Sequence, residues 1–255
     1  MPATHPSQLG IIVHGPAIAG NAERPLVAVH GMERVWPGLR LEWRISDEGK
    51  PIPLPRRDAW VAEGQSDEPG LPLLCNGDER DPVTISGWER PSSSSPGGQP
   101  QFEIHVSLPL ATPGLAAIAA DVLEAVAEGA LSFWGHATPF NAGVEISGQT
   151  RHPVRKPGIP PRGLPALKFP EKLRLPEIPQ RLGWMNYWSS AAARAIGFPD
   201  PARDADLLSR SRRTATGGWV VQLTEAPLDL DNPAHLTALL RAYERFPEIG
   251  GRSTL

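Results

Sequence analysis

The sequence predicts an α+β protein: a mainly antiparallel mixed sheet with flanking helices and a long Pro-rich surface arm. Three observations point there. Several segments alternate apolar and polar residues with a period of two, the pattern of sheets with one wet face. Others carry apolar residues at helical spacing, between and after the strands. Eight prolines between Pro153 and Pro179 exclude regular structure there. The 255 residues are read as one domain, 1–255, with 153–179 as an arm packed on it, because that arm holds too many apolar residues for a solvated linker: Ile159, Leu164, Leu167, Phe169, Leu173, Leu175 and Ile178.

In chain order, "LGIIVH" (9–14) is a β-branched apolar run and reads as a buried strand. Leu26, Val29, Met32, Val35 and Trp36 follow Pro25 at helical spacing, and Pro37-Gly38 ends that helix. "LRLEWRIS" (39–46) alternates as a half-buried strand, and "RRDAWVAE" suits a helical turn. "LPLLCN" (71–76) and "DPVTISGW" (81–88) read as strands, and "PSSSSPGGQP" (91–100) as a flexible loop. In "QFEIHVSL" (101–108), Phe102, Ile104, Val106 and Leu108 face inward, while Gln101, Glu103, His105 and Ser107 face water.

A helix is expected over 113–134, capped by Thr112 and Pro113, with Asp121, Glu124 and Glu128 opposite its apolar stripe and Gly135 closing it. A further helix is expected to start within 138–149. "LGWMNYWS" (182–189) is an aromatic strand covered on both faces, followed by a short helix ended by Gly197. "DPARDADLLSRSRR" reads as a helix with Asp200 as N-cap, "GGWVVQLT" (217–224) as a central strand, and Pro233 to Phe246 as the last helix, with Leu236, Leu239, Leu240 and Tyr243 on one face.

Charge and motifs limit the function. The net charge of −3 argues against general nucleic-acid binding, although Arg151–Arg181 holds eight Lys/Arg against two Glu, a basic arm on an acidic body. The apolar helical stretch near 113–134 carries three acids and is no membrane span, and "MPATHPSQLG" lacks the basic start and apolar core of a secretory signal. The single cysteine, Cys75, fits a reducing compartment and reads as a buried structural thiol, so a cytoplasmic location is expected. No P-loop, Rossmann glycine pattern, H-E-x-x-H, C-x-x-C or G-x-S-x-G occurs. No two histidines share metal-ligand spacing. His136, after "WG", would place an imidazole near a negative helix end, and any tryptophan left exposed would mark a binding hot spot.

"PLDLDNPAHL" (227–236) gathers Asp229, Asp231, Asn232 and His235 within seven positions. A calcium loop needs more oxygen ligands and a distal glutamate, whereas Asn232 as N-cap and Pro233 as first helical residue give each polar group a structural role. No metal or cofactor is expected.

Residues 217–244 together with "LGWMNYWS" resemble the C-terminal part of bacterial immunity proteins of polymorphic-toxin systems, especially the immunity 52 family. Through "HGMERVWPGLRLEW", "FWGHATPF" and "GFPDPARDADLL" the whole chain also resembles a bacterial family without an assigned function. The resemblance implies a non-enzymatic cytoplasmic protein that occludes a cognate protein toxin. An acidic body would suit a basic toxin, with Asp200, Asp204, Asp206, Asp229 and Asp231 as the partner-facing acids. Two alternatives stand beside it: a small-molecule enzyme using His14, His136 and Glu103, and an interaction protein working through the Pro-rich arm.

Overall fold

The alternating segments join into a single ten-stranded sheet. The structure is a computed structural model that describes residues 8–18, 23–64, 70–150 and 161–252. Its strands are β1 (Gln8–Pro16), β2 (Trp43–Ile45), β3 (Pro51–Pro53), β4 (Gly70–Cys75), β5 (Thr84–Arg90), β6 (Gln101–Pro109), β7 (Trp134–Pro139), β8 (Met185–Trp188), β9 (Ser211–Arg213) and β10 (Trp219–Gln222). They lie in the order β3-β2-β4-β5-β6-β1-β7-β8-β10-β9, and every neighbouring pair is antiparallel. The parallel component that a mixed sheet would have is confined, among the described residues, to an isolated bridge between Thr150 and Leu167.

The helices are α1 (Arg24–Val35), α2 (Arg57–Gly64), α3 (Leu115–Gly129), α4 (Phe140–Ser147), α5 (Ser190–Ala195), α6 (Ala205–Leu208) and α7 (Pro233–Arg245). Strand alternation sends Leu9, Ile11, Val13, Phe102, Ile104, Val106 and Leu108 to one face, where all are buried. α3 packs on β1, β7 and α1 from that side. Leu115, Val122, Leu123 and Val126 form its buried stripe, each side chain stabilising the fold by roughly 1.5–3 kcal/mol. On the opposite face, Trp188 meets Phe198 and Phe246 edge-on, with centroids 5.1 and 5.3 Å apart. The Tyr243 hydroxyl of α7 accepts the Leu182 N–H there at 3.1 Å.

Both ends of α3 differ from expectation. Gly114 adopts φ +68 and delays the start to Leu115, while the Thr112 hydroxyl donates to the Pro109 carbonyl and caps nothing. At the other end the chain leaves through a Schellman turn: Ser132 N–H bonds Ala127 O at 2.8 Å, and Leu131 N–H bonds Glu128 O at 3.1 Å. Leu131 holds the left-handed position at φ +53, where glycine is usual, and Gly135 lies inside β7 instead. Since Leu131 is exposed, Leu131→Gly removes strain with little loss of burial. Urea unfolding is expected to show a gain of about 0.5–1 kcal/mol; a loss would contradict the strained turn.

Elsewhere the sequence overestimated some regular structure. The strand expected over 39–46 shrinks to Trp43–Ile45, because Leu41 N–H bonds the Glu33 carboxylate at 2.7 Å rather than a neighbouring strand. Cys75 is buried at the end of β4. The loop expected to be flexible is packed: it forms two tight turns, Ser92–Ser94 and Pro96–Gly98, buries Ser95 and Pro96, and bonds Gly97 N–H to the Leu173 carbonyl at 2.8 Å. Its partner is the Pro-rich arm. Of the arm's apolar residues, Leu164, Leu167 and Leu173 are buried and Ile178 is partly so, while Leu175 stays exposed and Ile159 lies outside the described residues. Just past the arm, Gly183 runs so close to β7 that a β-carbon there would fall 2.2 Å from the Thr138 hydroxyl.

Candidate functional site

Antiparallel register builds a row across six strands: Trp88, Glu103, His14, Trp134, Trp188 and Trp219. The adjacent row runs Ser86, His105, Ile12, His136, Asn186 and Val221. Directly opposed residues share a face, so these aromatic and polar groups line the side of the sheet away from α3. At the β7–β8–β10 end, α7 and its flanking chain cover them.

Glu103 is the hub. It is only 3% exposed and carries an ion pair with Arg90. His14 Nδ1 lies 3.1 Å from its Oε1, off the line of a straight hydrogen bond, and His105 Nε2 lies 3.5 Å from Oε2. Burial alone would raise the Glu103 pKa. The His105 hydrogen bond, the nearby His14 imidazole and the charge of Arg90 outweigh it and hold the carboxyl below the usual carboxylate range. His14 stacks on Trp134 at 3.9 Å, and burial pulls its pKa down. The expected wet face of β6 is therefore dry at Gln101 and Glu103, while His105 keeps partial access to solvent. The layer is not fully satisfied: both Gln101 amide atoms and Trp134 Nε1 are buried without a hydrogen-bond partner, at about 1–3 kcal/mol each.

His136 does not sit at a helix end. It is buried within β7, with Nδ1 3.0 Å from the Thr138 hydroxyl. Burial first, then the Arg181 charge, keep its pKa well below the ordinary histidine value. The sequence's candidate trio of His14, Glu103 and His136 thus does assemble on one face, yet all three side chains are buried. Among the described residues no group of three His, Cys, Asp or Glu side chains is placed to hold a metal ion.

At the β5–β6 end the face opens. Trp88 is 47% exposed, the one tryptophan of the eight that is exposed rather than buried or half-buried. Its ring stacks on His105 at 4.3 Å, and His105 in turn rests on Glu103. α4 packs on β1 and β7 on the same side, since a β-carbon at Gly143 would touch the Thr138 methyl at 3.8 Å, and it adds exposed Phe140 and Val144. In the sequence Trp88 was not set apart from the other tryptophans. The signal that it belongs elsewhere was present: in "TISGW", Trp88 shares parity with Thr84 and Ser86, opposite Ile85.

Of the five sequence-predicted acids one is buried, and the other four are tied into local hydrogen bonds or ion pairs. Asp204 is 1% exposed and locked to Arg245 at 2.6 Å, which removes it as a partner-facing acid. Asp206 is forked by Arg210 at 2.9 and 2.8 Å. Asp200 does not cap the expected helix: it bonds Ala202 N–H at 3.0 Å within a turn, and α6 begins only at Ala205. Asp229 accepts the Asp231 N–H at 2.9 Å, and Asp231 pairs with Arg162 of the arm at 2.7 Å. Asn232 caps α7 through the Ala234 N–H at 2.9 Å, and His235 Nδ1 accepts the Asp229 N–H at 3.1 Å. The stretch 227–236 is thus a helix start tied to the arm.

Fold and face together define a class: an α+β protein on one antiparallel sheet, with an apolar face under helices and a polar-aromatic face left partly open. The chain belongs to the DUF5953 family, a domain of unknown function matched over residues 20–254. No curated protein matches it. Among solved structures it is similar to the Pseudomonas aeruginosa T6SS protein PA0821, with a TM-score of 0.56 and 17% identity over 94% of this chain and 76% of that one. At that identity the likeness speaks for the fold. No helix among the described residues is long and apolar enough to cross a membrane.

Proposed function

We propose that this chain is an immunity-type protein that binds a cognate bacterial toxin and neutralises it by occlusion, without turnover. The observation that carries this reading is Trp88, half-exposed on the open part of the sheet and stacked on His105. Tryptophan is among the residues most enriched in binding hot spots, and here the ring stacks on a histidine that lies 3.5 Å from a buried carboxylate. Exposed Phe140 and Val144 of α4 add apolar surface elsewhere on the same side of the sheet. The burial of His14, Glu103 and His136 favours a supporting role for them over a catalytic one. Similarity to a T6SS protein suits a setting of competition between bacteria.

Co-expression with the product of the neighbouring toxin gene tests the reading: a stable complex and restored growth are expected, and neither complex nor protection would sink it. Within that complex, Trp88→Ala is expected to weaken binding by about 2–4 kcal/mol in calorimetry, roughly 30- to 1,000-fold, with the melting temperature little changed. Unaltered affinity would remove Trp88 from the interface.

A further inference from the structure

Three acids crowd residues 200–206, yet the cleft beside them is basic. An open cleft of about 580 Å³ lies between α6 and α7, and Arg203, Arg210, Arg241 and Arg245 line it with Asp206. Two of these arginines are already engaged: Arg210 forks Asp206, and Arg245 grips the buried Asp204 through both carboxylate oxygens, at 2.6 and 2.9 Å. Arg203 and Arg241 are exposed and form no ion pair with any described residue, although the charge of Arg241 reaches Asp206. The floor between them is apolar, with Leu207 and Leu223 beside the alanines of α7.

We propose that this cleft binds an acidic peptide segment of a partner protein, with carboxylates on Arg203 and Arg241 and an apolar side chain seated between them on Leu207 and Leu223. Three features select that occupant. Guanidinium forks match carboxylates in two-point contacts, and two arginines of this wall already grip the chain's own carboxylates that way, Arg210 on Asp206 in the cleft and Arg245 on Asp204 buried behind it. Four arginines line the cleft against Asp206, with Asp204 buried behind Arg245, so the cleft is positive on a chain of net charge −3 and attracts acidic rather than basic segments. Its α7 wall is a stripe of Ala234, Ala238, Arg241 and Arg245, which spans roughly 16 Å at helical rise, the length of about five extended residues. The proposal does not depend on the Trp88 face or on the partner being a toxin.

The test uses the full chain with ¹⁵N-labelled arginine and a blocked peptide, Asp-Leu-Glu-Leu-Asp. The peptide is expected to shift the Arg203 and Arg241 Nε–Hε resonances, and added salt to reverse the shift. The double variant Arg203→Ala/Arg241→Ala should bind roughly tenfold or more weakly, with its melting temperature retained, since both side chains are exposed. No shift at millimolar peptide would overturn the proposal. So would equal binding of Lys-Leu-Lys-Leu-Lys, or a response to inorganic phosphate or ADP with the acidic peptide silent.

Discussion

Stability to urea is expected to fall steeply as the pH drops from 6.5 to 4.5. Both His14 and His136 are buried, and burial lowers their pKa values in the folded chain, His136 by more. Below pH 6.5 the unfolded chain takes up protons at these two positions while the folded chain resists them. Stability is thus fully present above 6.5 and drains as the pH falls towards the folded pKa values, by up to about 1.4 kcal/mol per pH unit for each histidine. Glu103 acts lower down. Its folded pKa is depressed, so its contribution is intact above the ordinary carboxylate range and is lost only as the pH falls below it. His14→Gln/His136→Gln should flatten the slope between 6.5 and 4.5 by up to two protons and leave the more acidic limb in place. An unchanged slope in the double variant would mean that neither imidazole is held neutral.

Asp204→Ala should cost about 3–5 kcal/mol, because it leaves Arg245, itself largely covered, without its carboxylate. The Asp204 oxygens also accept the Asp200 N–H at 2.7 Å, so the turn before α6 loosens with it. In a chain of this size the loss corresponds to a fall in melting temperature of roughly 10 °C. Asp206→Ala is the matched control: its pair with Arg210 spans one helical turn and is open to water, so its removal should cost a few tenths of a kcal/mol. Equal losses in the two variants would show that burial does not separate these ion pairs.

The two aspartates also mark what a sequence can and cannot convey. Both sit in "DADLL" and read alike, as acids at the start of a helix. Only Arg245, forty-one positions away, makes one of them a buried ion-pair partner. Alternation in β6 conveyed which of its residues turn to the core, and the apolar run of β1 conveyed a buried strand, but neither conveyed which residues oppose each other. Nor could alternation convey that Glu103 would be roofed over, since that depends on Arg90 and on a chain segment beyond the arm. Asn232 and Pro233 announced α7 because capping is local chemistry. The end of α3 was hidden because a leucine occupies a turn position that glycine usually signals. Of the candidate site, the trio His14, Glu103 and His136 was legible as residue types. Trp88 was legible only through its parity in a strand.

β1 is flanked by β6 on one side and β7 on the other, so the first of the described strands is the seam of the whole sheet. During synthesis its first edge can be matched once residue 109 has emerged, and its second only after residue 139. At about 5–20 residues per second, the apolar edge of Leu9, Ile11 and Val13 stands unpaired for seconds between those two events. That interval leaves the nascent chain open to edge-to-edge association with its neighbours on a polysome.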